Sequence, residues 1–241
     1  AVKQIVNAGV LDTLREQSNV GSRIFASIFD TLIQVDRQGD LSQQPALAES
    51  WTRIDDKTIE FKLRKGVKFH NGEEMTAEDV KFSIERAMAK TSNYSVYTQG
   101  IDKVVAGSNT VDVFTKAPNP VLLNQLTELR VMSRAWAEKN KSVEPKDIKT
   151  KDESFAHRNA MGTGPFMVKE WQPDQKLVMV DNPQWWGHGA KAKPGNVTEV
   201  VYTPIKSEAT RMAALLSGEV DFVLDPTPQD LERVQRNAAL K

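Results

Sequence analysis

The sequence of 241 residues contains no cysteine, which excludes disulfide bonds, thiolate metal sites and cysteine nucleophiles. A charge excess of one sign is also missing, because 32 Lys+Arg balance 32 Asp+Glu. Nucleic-acid binders carry a basic excess and peripheral membrane proteins carry polybasic or strongly amphipathic segments, so neither class is favoured. Apolar runs are short: the longest, such as 212–216, fall far short of the roughly 20 residues that a membrane-spanning helix requires.

The composition that is present is typical of a folded protein. Hydrophobic residues make up 39% and charged residues 27% of the sequence, enough for a buried core in one large domain or two modest ones. The sequence begins with Ala1 rather than Met, so we expect that a secretory signal has been removed. Residues 229–241 keep a helix-like pattern without a stop signal, and we expect the polypeptide to continue beyond them.

Motifs of catalytic and metal sites are missing as well. The histidines His70, His157 and His188 stand far apart without metal-ligand spacing, so each is predicted to be an exposed or capping side chain. Residues 162–164 resemble the start of a dinucleotide loop, but that motif's third glycine is replaced and Pro165 blocks the helix that must follow. No nucleophile elbow, zinc-protease motif or phosphate-binding lysine motif occurs. The sequence therefore predicts no catalytic residue, no metal and no cofactor.

Three pairs of neighbouring side chains have both a functional and a structural interpretation. Asp55-Asp56 and Glu73-Glu74 stand near lysines, and neighbours on a turn point apart, so solvated turns are predicted rather than acid–base pairs. Trp185-Trp186 offers either a sugar-stacking surface or a packed corner. The flanking Asn-Pro and Gly residues favour the packed corner.

Hydrophobic periodicity predicts a mixed α/β chain. Apolar residues from Ile24 to Leu32 recur every three or four positions, which predicts a core helix that begins near Ser22. Thr76 and Asp79 have the spacing of a capping box and predict the start of a second helix. Further helices are predicted over 121–129, 135–140 and 207–217, the last with Gly218 just past its end, and after Thr227. Strands are predicted over 33–35, 59–63, 111–113, 166–170, 177–181, 197–205 and 220–224, and the turn at Pro173-Asp174 predicts a hairpin over 166–181.

Two predictions concern longer segments. Residues 197–224 show the order strand, helix, strand, which predicts a βαβ unit with a right-handed crossover. Residues 141–158 are polar and have little periodicity, which predicts a long surface connection.

Several segments match, in the same order, the signature of a known family. They are ALAESW (46–51), TIEFKLRKGVKFHNG (58–72), TAEDVKFS (76–83), GTGPF (162–166), NPQWWG (182–187) and 211–222, which ends in GEVDF. Together they closely resemble the extracytoplasmic solute-binding proteins of family five, which are the peptide, nickel and opine receptors of ABC importers. The resemblance covers nearly the whole chain.

The resemblance implies a periplasmic-binding-protein fold of type II, an α/β architecture in which two lobes close on a ligand. Residues 1–36 and 162–241 correspond to the core subdomain of the first lobe, and 37–161 to its extra subdomain. We expect the chain to cross into the second lobe near Asp225-Pro226, which would form a hinge. The second lobe would lie beyond residue 241.

The family's ligand contacts from the first lobe come from the loop before the first helix. Here that loop is Glu16-Gln17-Ser18-Asn19, with Ser22 at the expected helix start. Free backbone amides at a helix N-terminus attract a carboxylate, which makes the position suitable for an anionic group. The resemblance implies a second contribution from Tyr94 and Tyr97, which either face the ligand cleft or pack at its rim.

The resemblance further implies a binding protein rather than an enzyme. The expected function is to capture a small solute, above all a di- or oligopeptide, in the periplasm and to deliver it to permease subunits in the inner membrane. We expect a monomer, with no nucleic-acid partner and no direct membrane insertion. A nickel-chelate or opine receptor is the alternative within the family, although no histidine stands beside Gln17. A periplasmic hydrolase and a chaperone or signalling role are the alternatives outside it.

Overall fold

The computed structural model describes residues 2–3, 9–147, 149–150, 152–189, 196–224, 226–238 and 240. The strands of this part of the chain are β1 (Val2–Lys3), β2 (Ile33–Val35), β3 (Gln43–Pro45), β4 (Ala48–Asp55), β5 (Thr58–Leu63), β6 (Ile101–Ala106), β7 (Thr110–Thr115), β8 (Phe166–Gln172), β9 (Lys176–Asp181), β10 (Glu199–Tyr202) and β11 (Phe222–Val223). The helices are α1 (Asn19–Ile28), α2 (Ala77–Met88), α3 (Ser95–Thr98), α4 (Leu122–Leu126), α5 (Arg134–Lys139), α6 (Glu208–Leu216) and α7 (Pro228–Gln235), with 3-10 turns at Phe155–His157 and Trp186–Gly189. The mixed α/β class is confirmed.

The larger sheet has four antiparallel strands in the order β4-β5-β7-β6, and α2 packs against β6 and β7. Ile59, Phe61 and Leu63 alternate with more exposed residues along β5 and are buried under the helix, as the period of two predicts. Asp79 accepts hydrogen bonds from the backbone and hydroxyl of Thr76, 2.8 and 2.7 Å long, which confirms the predicted helix start. This sheet and helix surround the first of two large apolar cores.

A second sheet has the order β10-β9-β8, and α1 lies against β8. The predicted hairpin over 166–181 is confirmed, because β8 and β9 pair antiparallel across a turn in which Asp174 has φ 61°. Phe25 and Ile28 of α1 and Met179 of β9 are buried together in the second core. The strand pair β2-β3 and the isolated bridge Thr31–Arg130 lie outside these two sheets.

The predicted βαβ unit is only partly correct. The helix α6 does follow β10 and precede β11, and Gly218 ends it with φ 74°. However, β10 pairs with β9, and β11 pairs in parallel with β1 from the other end of the chain. Because β1 also lies against β10, it lies between the two strands of the predicted unit. A periodicity over 28 residues carries no signal for such a distant partner.

The first helix begins earlier than predicted. It starts at Asn19, and Ser18 is its N-cap, because the Ser18 hydroxyl accepts a 3.1 Å hydrogen bond from the Gly21 backbone. Ser22 therefore lies in the first turn of the helix and not at its start. The prediction missed this cap because Asn19 and Ser22 are themselves good capping residues.

Most described residues of the polar segment 141–158 are exposed, as predicted for a surface connection, but several are anchored in the interior. Ser142, Ala156 and His157 are buried, and the Leu11 backbone donates a 2.9 Å hydrogen bond to the carbonyl of His157. The prediction of a capping histidine is confirmed for His157, whose Nδ1 accepts a 2.9 Å hydrogen bond from the Ser154 backbone. Few apolar residues are needed for burial when the segment's own polar groups are satisfied in this way.

The glycine-rich segment 162–164 packs against the end of α1. The Gly164 backbone donates a 3.0 Å hydrogen bond to the Ile28 carbonyl, and a Cβ on Gly164 would lie 2.7 Å from that oxygen. The indole of Trp186 donates a 2.8 Å hydrogen bond to Asp30, which also accepts from Thr163. The tryptophan pair is therefore the packed corner that was predicted, and both motifs fix the C-terminal end of α1.

Candidate functional site

A cavity of about 770 Å³ lies beside α1. Its walls come from the loop before α1, from α1 itself and from the segment around α3. The residue segments that follow β2 and α4 complete the walls. The lining residues are Gln17, Asn19, Ser22, Arg23, Ala26, Arg37, Tyr94, Tyr97, Glu128 and Arg130. Five of the seven residues predicted to bind a ligand are thus brought together in one cavity, and Glu16 and Ser18 are not among those that line it.

The loop before α1 is fixed by a buried ion pair. Asp12 accepts two hydrogen bonds from the guanidinium of Arg86 on α2, 2.8 and 2.6 Å long. Arg86 Nε also donates to the carbonyls of Ser142 and Val143, and Asp12 accepts from the Leu14 backbone. Burial by itself raises the pKa of Asp12, but the hydrogen bonds and charge of Arg86 outweigh it and leave that pKa below its ordinary value. The loop is therefore anchored to the α2 side of the molecule.

Glu16 uses its carboxylate inside the loop and not towards the cavity. It accepts hydrogen bonds from the backbone of Ser18 at 2.7 Å and of Gly9 at 3.2 Å. A Cβ on Gly21 would lie 2.2 Å from Glu16 Cγ, so the side chain packs directly against the start of α1. With Ser18 bonded to Gly21, the N-terminus of α1 already has an internal anion and an internal cap. The expectation that a ligand carboxylate binds at this helix start stays a prediction, with Glu16 and Ser18 already engaged within the loop.

Gln17 and Tyr94 link the loop to the α3 segment. The Gln17 amide donates to the carbonyl of Asn93, and Asn93 Nδ2 donates a 2.6 Å hydrogen bond to the Arg15 carbonyl. The Tyr94 hydroxyl donates a 3.1 Å hydrogen bond to the Glu16 carbonyl. These bonds hold one wall of the cavity at a fixed distance from the other.

The two tyrosines differ in their exposure to the cavity. Their ring centroids are 5.6 Å apart, but Tyr94 is only 3% exposed whereas Tyr97 is half-buried. Burial raises the pKa of the Tyr94 hydroxyl, which stays a neutral donor at physiological pH. Packing therefore dominates the role of Tyr94, and Tyr97 offers more of its surface to a molecule in the cavity.

The charged side chains of the cavity were missed by the sequence analysis. Three arginines, Arg23, Arg37 and Arg130, share the lining with one carboxylate, Glu128. Arg130 is 9% exposed, and its Nη1 donates a 3.1 Å hydrogen bond to the Glu128 carbonyl. No motif marks these positions, because Arg130 reaches the site through its pairing with Thr31, about a hundred residues away.

Only one of the two residues of the expected hinge is described. Asp225 falls outside the described residues, and Pro226 is half-buried just before α7. Within the described residues no cluster of His, Asp or Glu could hold a metal ion. No helix in this part of the chain is long and apolar enough to cross a membrane.

Comparison with known proteins places the chain in a family. Residues 42–241 match the bacterial extracellular solute-binding proteins, family 5 Middle. The chain is 30% identical over 235 residues to the di/tripeptide-binding protein 3 of Pseudomonas aeruginosa (strain UCBPP-PA14), covering 89% of this chain and 42% of that protein. The chain therefore belongs to the extracellular solute-binding proteins of family 5, and it spans less than half the length of this relative.

Solved structures give the same result. The periplasmic binding protein DppA from Helicobacter pylori, in complex with the peptide STSA, superposes with a TM-score of 0.82 at 25% identity over 98% of this chain and 48% of that one. AgaA from A.tumefacien R10, in complex with agropinic acid, superposes with a TM-score of 0.84 at 25% identity over 98% of this chain and 45% of that one. Both are binding proteins, and the fold is that of the first part of their chains.

Proposed function

We propose that the full-length protein is the substrate-binding component of an ABC importer. It captures a small solute, above all a di- or oligopeptide, in the periplasm and delivers it to permease subunits in the inner membrane. The observation that carries this proposal is the cavity beside α1, where Gln17, Asn19, Ser22 and the two tyrosines converge. Cavities of several hundred Å³ with a few convergent polar groups are typical small-molecule sites.

The proposal includes the division of the chain into subdomains. Residues 1–36 and 162–241 would form the core subdomain of the first lobe, 37–161 its extra subdomain, and Asp225-Pro226 the hinge to a second lobe. In support, most side chains of the first apolar core come from 37–161, and the cavity lies where the loop before α1 meets that segment. A ligand held between lobes is contacted from both sides and loses its water, so affinity depends on closure.

Isothermal titration calorimetry tests the proposal directly. The full-length protein is titrated with a series of di- and tripeptides, and native mass spectrometry checks for solute that copurifies without refolding. We expect micromolar or tighter binding of a monomer, and no turnover of the peptides. Submicromolar binding by residues 1–241 alone would contradict the dependence on closure.

An opine receptor is the second candidate, and the three cavity arginines favour it. Agropinic acid, bound in the AgaA structure, is an acid, and arginine binds carboxylates well. Agropinic acid serves as the probe in the same titration. Binding of the opine without binding of any peptide would replace the first candidate with the second.

A further inference from the structure

The turn between β5 and α2 contains an asparagine followed by a glycine, Asn71-Gly72. Nowhere else in the sequence does an asparagine precede a glycine. The backbone nitrogen after an asparagine lies close to the amide carbon of that side chain and can attack it, with loss of ammonia. Glycine has no Cβ to hinder this attack, so Asn71 is the asparagine of this sequence with the least steric protection.

The structure places the pair at the surface. Both residues are exposed, and a Cβ on Gly72, where φ is 87°, would meet nothing within 4 Å. The Gly72 backbone closes the turn by donating a 2.8 Å hydrogen bond to the Phe69 carbonyl. The attack requires this bond to open, and its opening moves an exposed residue rather than a side chain of the core. A ring that includes the Gly72 nitrogen therefore has space to form.

The side chain of Asn71 is already folded towards the residues that follow it. Its Oδ1 accepts a 3.1 Å hydrogen bond from the Glu73 backbone. This bond holds the amide carbon on the side of Asn71 where the Gly72 nitrogen lies. The same Glu73 N–H donates to the oxygen on which negative charge develops during the attack, and so stabilises the transition state.

The reaction needs water as its only co-reactant. The Gly72 nitrogen forms a bond to Asn71 Cγ, and the side-chain nitrogen leaves as ammonia with the proton that Gly72 gives up. Water then opens the resulting cyclic imide at one of its two carbonyls. Opening at the main-chain carbonyl gives isoaspartate, in which the backbone runs through the former side chain. Opening at the other carbonyl gives aspartate.

The turn that carries Asn71 also fastens two parts of the molecule together. The His70 backbone donates a 2.9 Å hydrogen bond to the Gly162 carbonyl, and His70 Nε2 lies 3.1 Å from the Gly164 carbonyl. Because a carbonyl can only accept, Nε2 carries the proton in this contact. Gly164 in turn donates to the Ile28 carbonyl, so the turn is tied through 162–164 to the end of α1.

We propose that Asn71 is a site of spontaneous deamidation, and that its isoaspartate product loosens the contact of His70 with residues 162–164. Isoaspartate adds one carbon to the backbone directly after His70, and the short turn has to accommodate it. Aspartate leaves the backbone unchanged and adds only an exposed charge. The inference does not depend on the proposed binding function.

The test follows the reaction in the full-length protein, which is incubated in warm, mildly alkaline buffer and sampled over time. Trypsin cleaves after Lys68 and Lys81, and the peptide 69–81 contains Asn71 as its only amide side chain. The mass change from amide to acid in this peptide therefore reports Asn71 alone. Labelling by an isoaspartate-specific methyltransferase distinguishes isoaspartate from aspartate.

An internal control and two variants complete the experiment. The tryptic peptide 104–116 contains Asn109 as its only amide side chain, and a threonine follows it. Asn71→Gln keeps an exposed amide but needs a larger ring for the same attack. Asn71→Asp supplies the charge of the product without the extra backbone carbon.

We expect Asn71 to lose its amide at least about 10-fold faster than Asn109, because the threonine hinders the attack. Asn71→Gln should give no isoaspartate in peptide 69–81. The incubated wild type should unfold at a lower urea concentration than the fresh protein, and its Gly164 amide should exchange with solvent faster. Asn71→Asp should match the fresh wild type in both measurements.

Each contrary result removes a defined part of the inference. Equal rates at Asn71 and Asn109, or aspartate formed without isoaspartate, overturns the deamidation site. Isoaspartate with an unchanged urea midpoint and unchanged exchange at Gly164 overturns the effect on His70. If Asn71→Asp is destabilised as much as the incubated wild type, the new charge is the cause, and the role of the extra backbone carbon is overturned.

Discussion

The buried pair Asp12–Arg86 is predicted to be among the largest single contributions to the stability of the cavity wall. Replacing Arg86 with Met keeps the volume of the side chain but leaves the Asp12 carboxylate buried with the Leu14 backbone as its one remaining donor among the described residues. Breaking a buried ion pair in this way costs about 3–5 kcal/mol. The two carbonyls that accept from Arg86 Nε also lose their donor, so we expect the upper part of that range.

The assay is urea unfolding of the full-length protein, followed by circular dichroism at pH 7. The double variant Asp12→Asn/Arg86→Met removes the stranded charge and should recover about 1–3 kcal/mol relative to Arg86→Met alone. Lys62→Met, which breaks the exposed pair with Glu49, is the matched control and should leave the urea midpoint nearly unchanged, because water screens that pair. A loss below about 1 kcal/mol for Arg86→Met, or a double variant no more stable than that single one, would refute the reasoning.

The same pair has a defined pH dependence. In the wild type the pKa of Asp12 lies below its ordinary 3.8, so the folded state binds fewer protons than the unfolded one and stability falls as the pH drops through that range. In Arg86→Met the partner is gone and burial raises the pKa of Asp12 instead. The destabilisation of the variant should therefore shrink as the pH is lowered from 7 towards 4. A destabilisation of Arg86→Met that stays constant between pH 7 and 4 would contradict the unpaired, buried Asp12 carboxylate as its cause.

Three further predictions concern single residues. Gly21→Ala should lower the free energy of unfolding by about 1–3 kcal/mol and weaken ligand binding, because the new Cβ displaces Glu16. Gly9→Ala is the control: its Cβ meets nothing within 4 Å, so it should be neutral in the same urea and calorimetric titrations. Gly218→Ala should cost about 1 kcal/mol in urea unfolding, since φ is 74° at the end of α6. Burial lowers the pKa of His157, so the unfolded state binds more protons and stability should fall as the pH drops below about 6.5. His157→Gln should show a smaller fall between pH 7.5 and 5.5 in the same unfolding assay, and an equal fall would assign the effect to other groups.

The elements that the sequence predicted well are those whose signals are local. The capping box at Thr76, the glycine end of α6 and the hairpin over 166–181 each depend on hydrogen bonds between residues a few positions apart. Alternation along β5 likewise reports one exposed and one buried face. An error came where two local signals competed, as for the cap of α1. Within the connection 141–158 the sequence did not predict which residues are buried, because polar side chains such as His157 are buried once they are hydrogen-bonded.

The sequence by itself determined the family and the loop and tyrosines expected at the site, because ordered motifs and capping patterns can be read along one dimension. Only the tertiary structure decided that Glu16 closes the start of α1, and that Arg37 and Arg130 enter the same cavity. Asp12 and Arg86 are 74 positions apart, and their pairing depends on how the loop packs against α2. Burial and the long-range packing of side chains set these charges beside one another, and neither property is encoded in the neighbours of a residue along the chain.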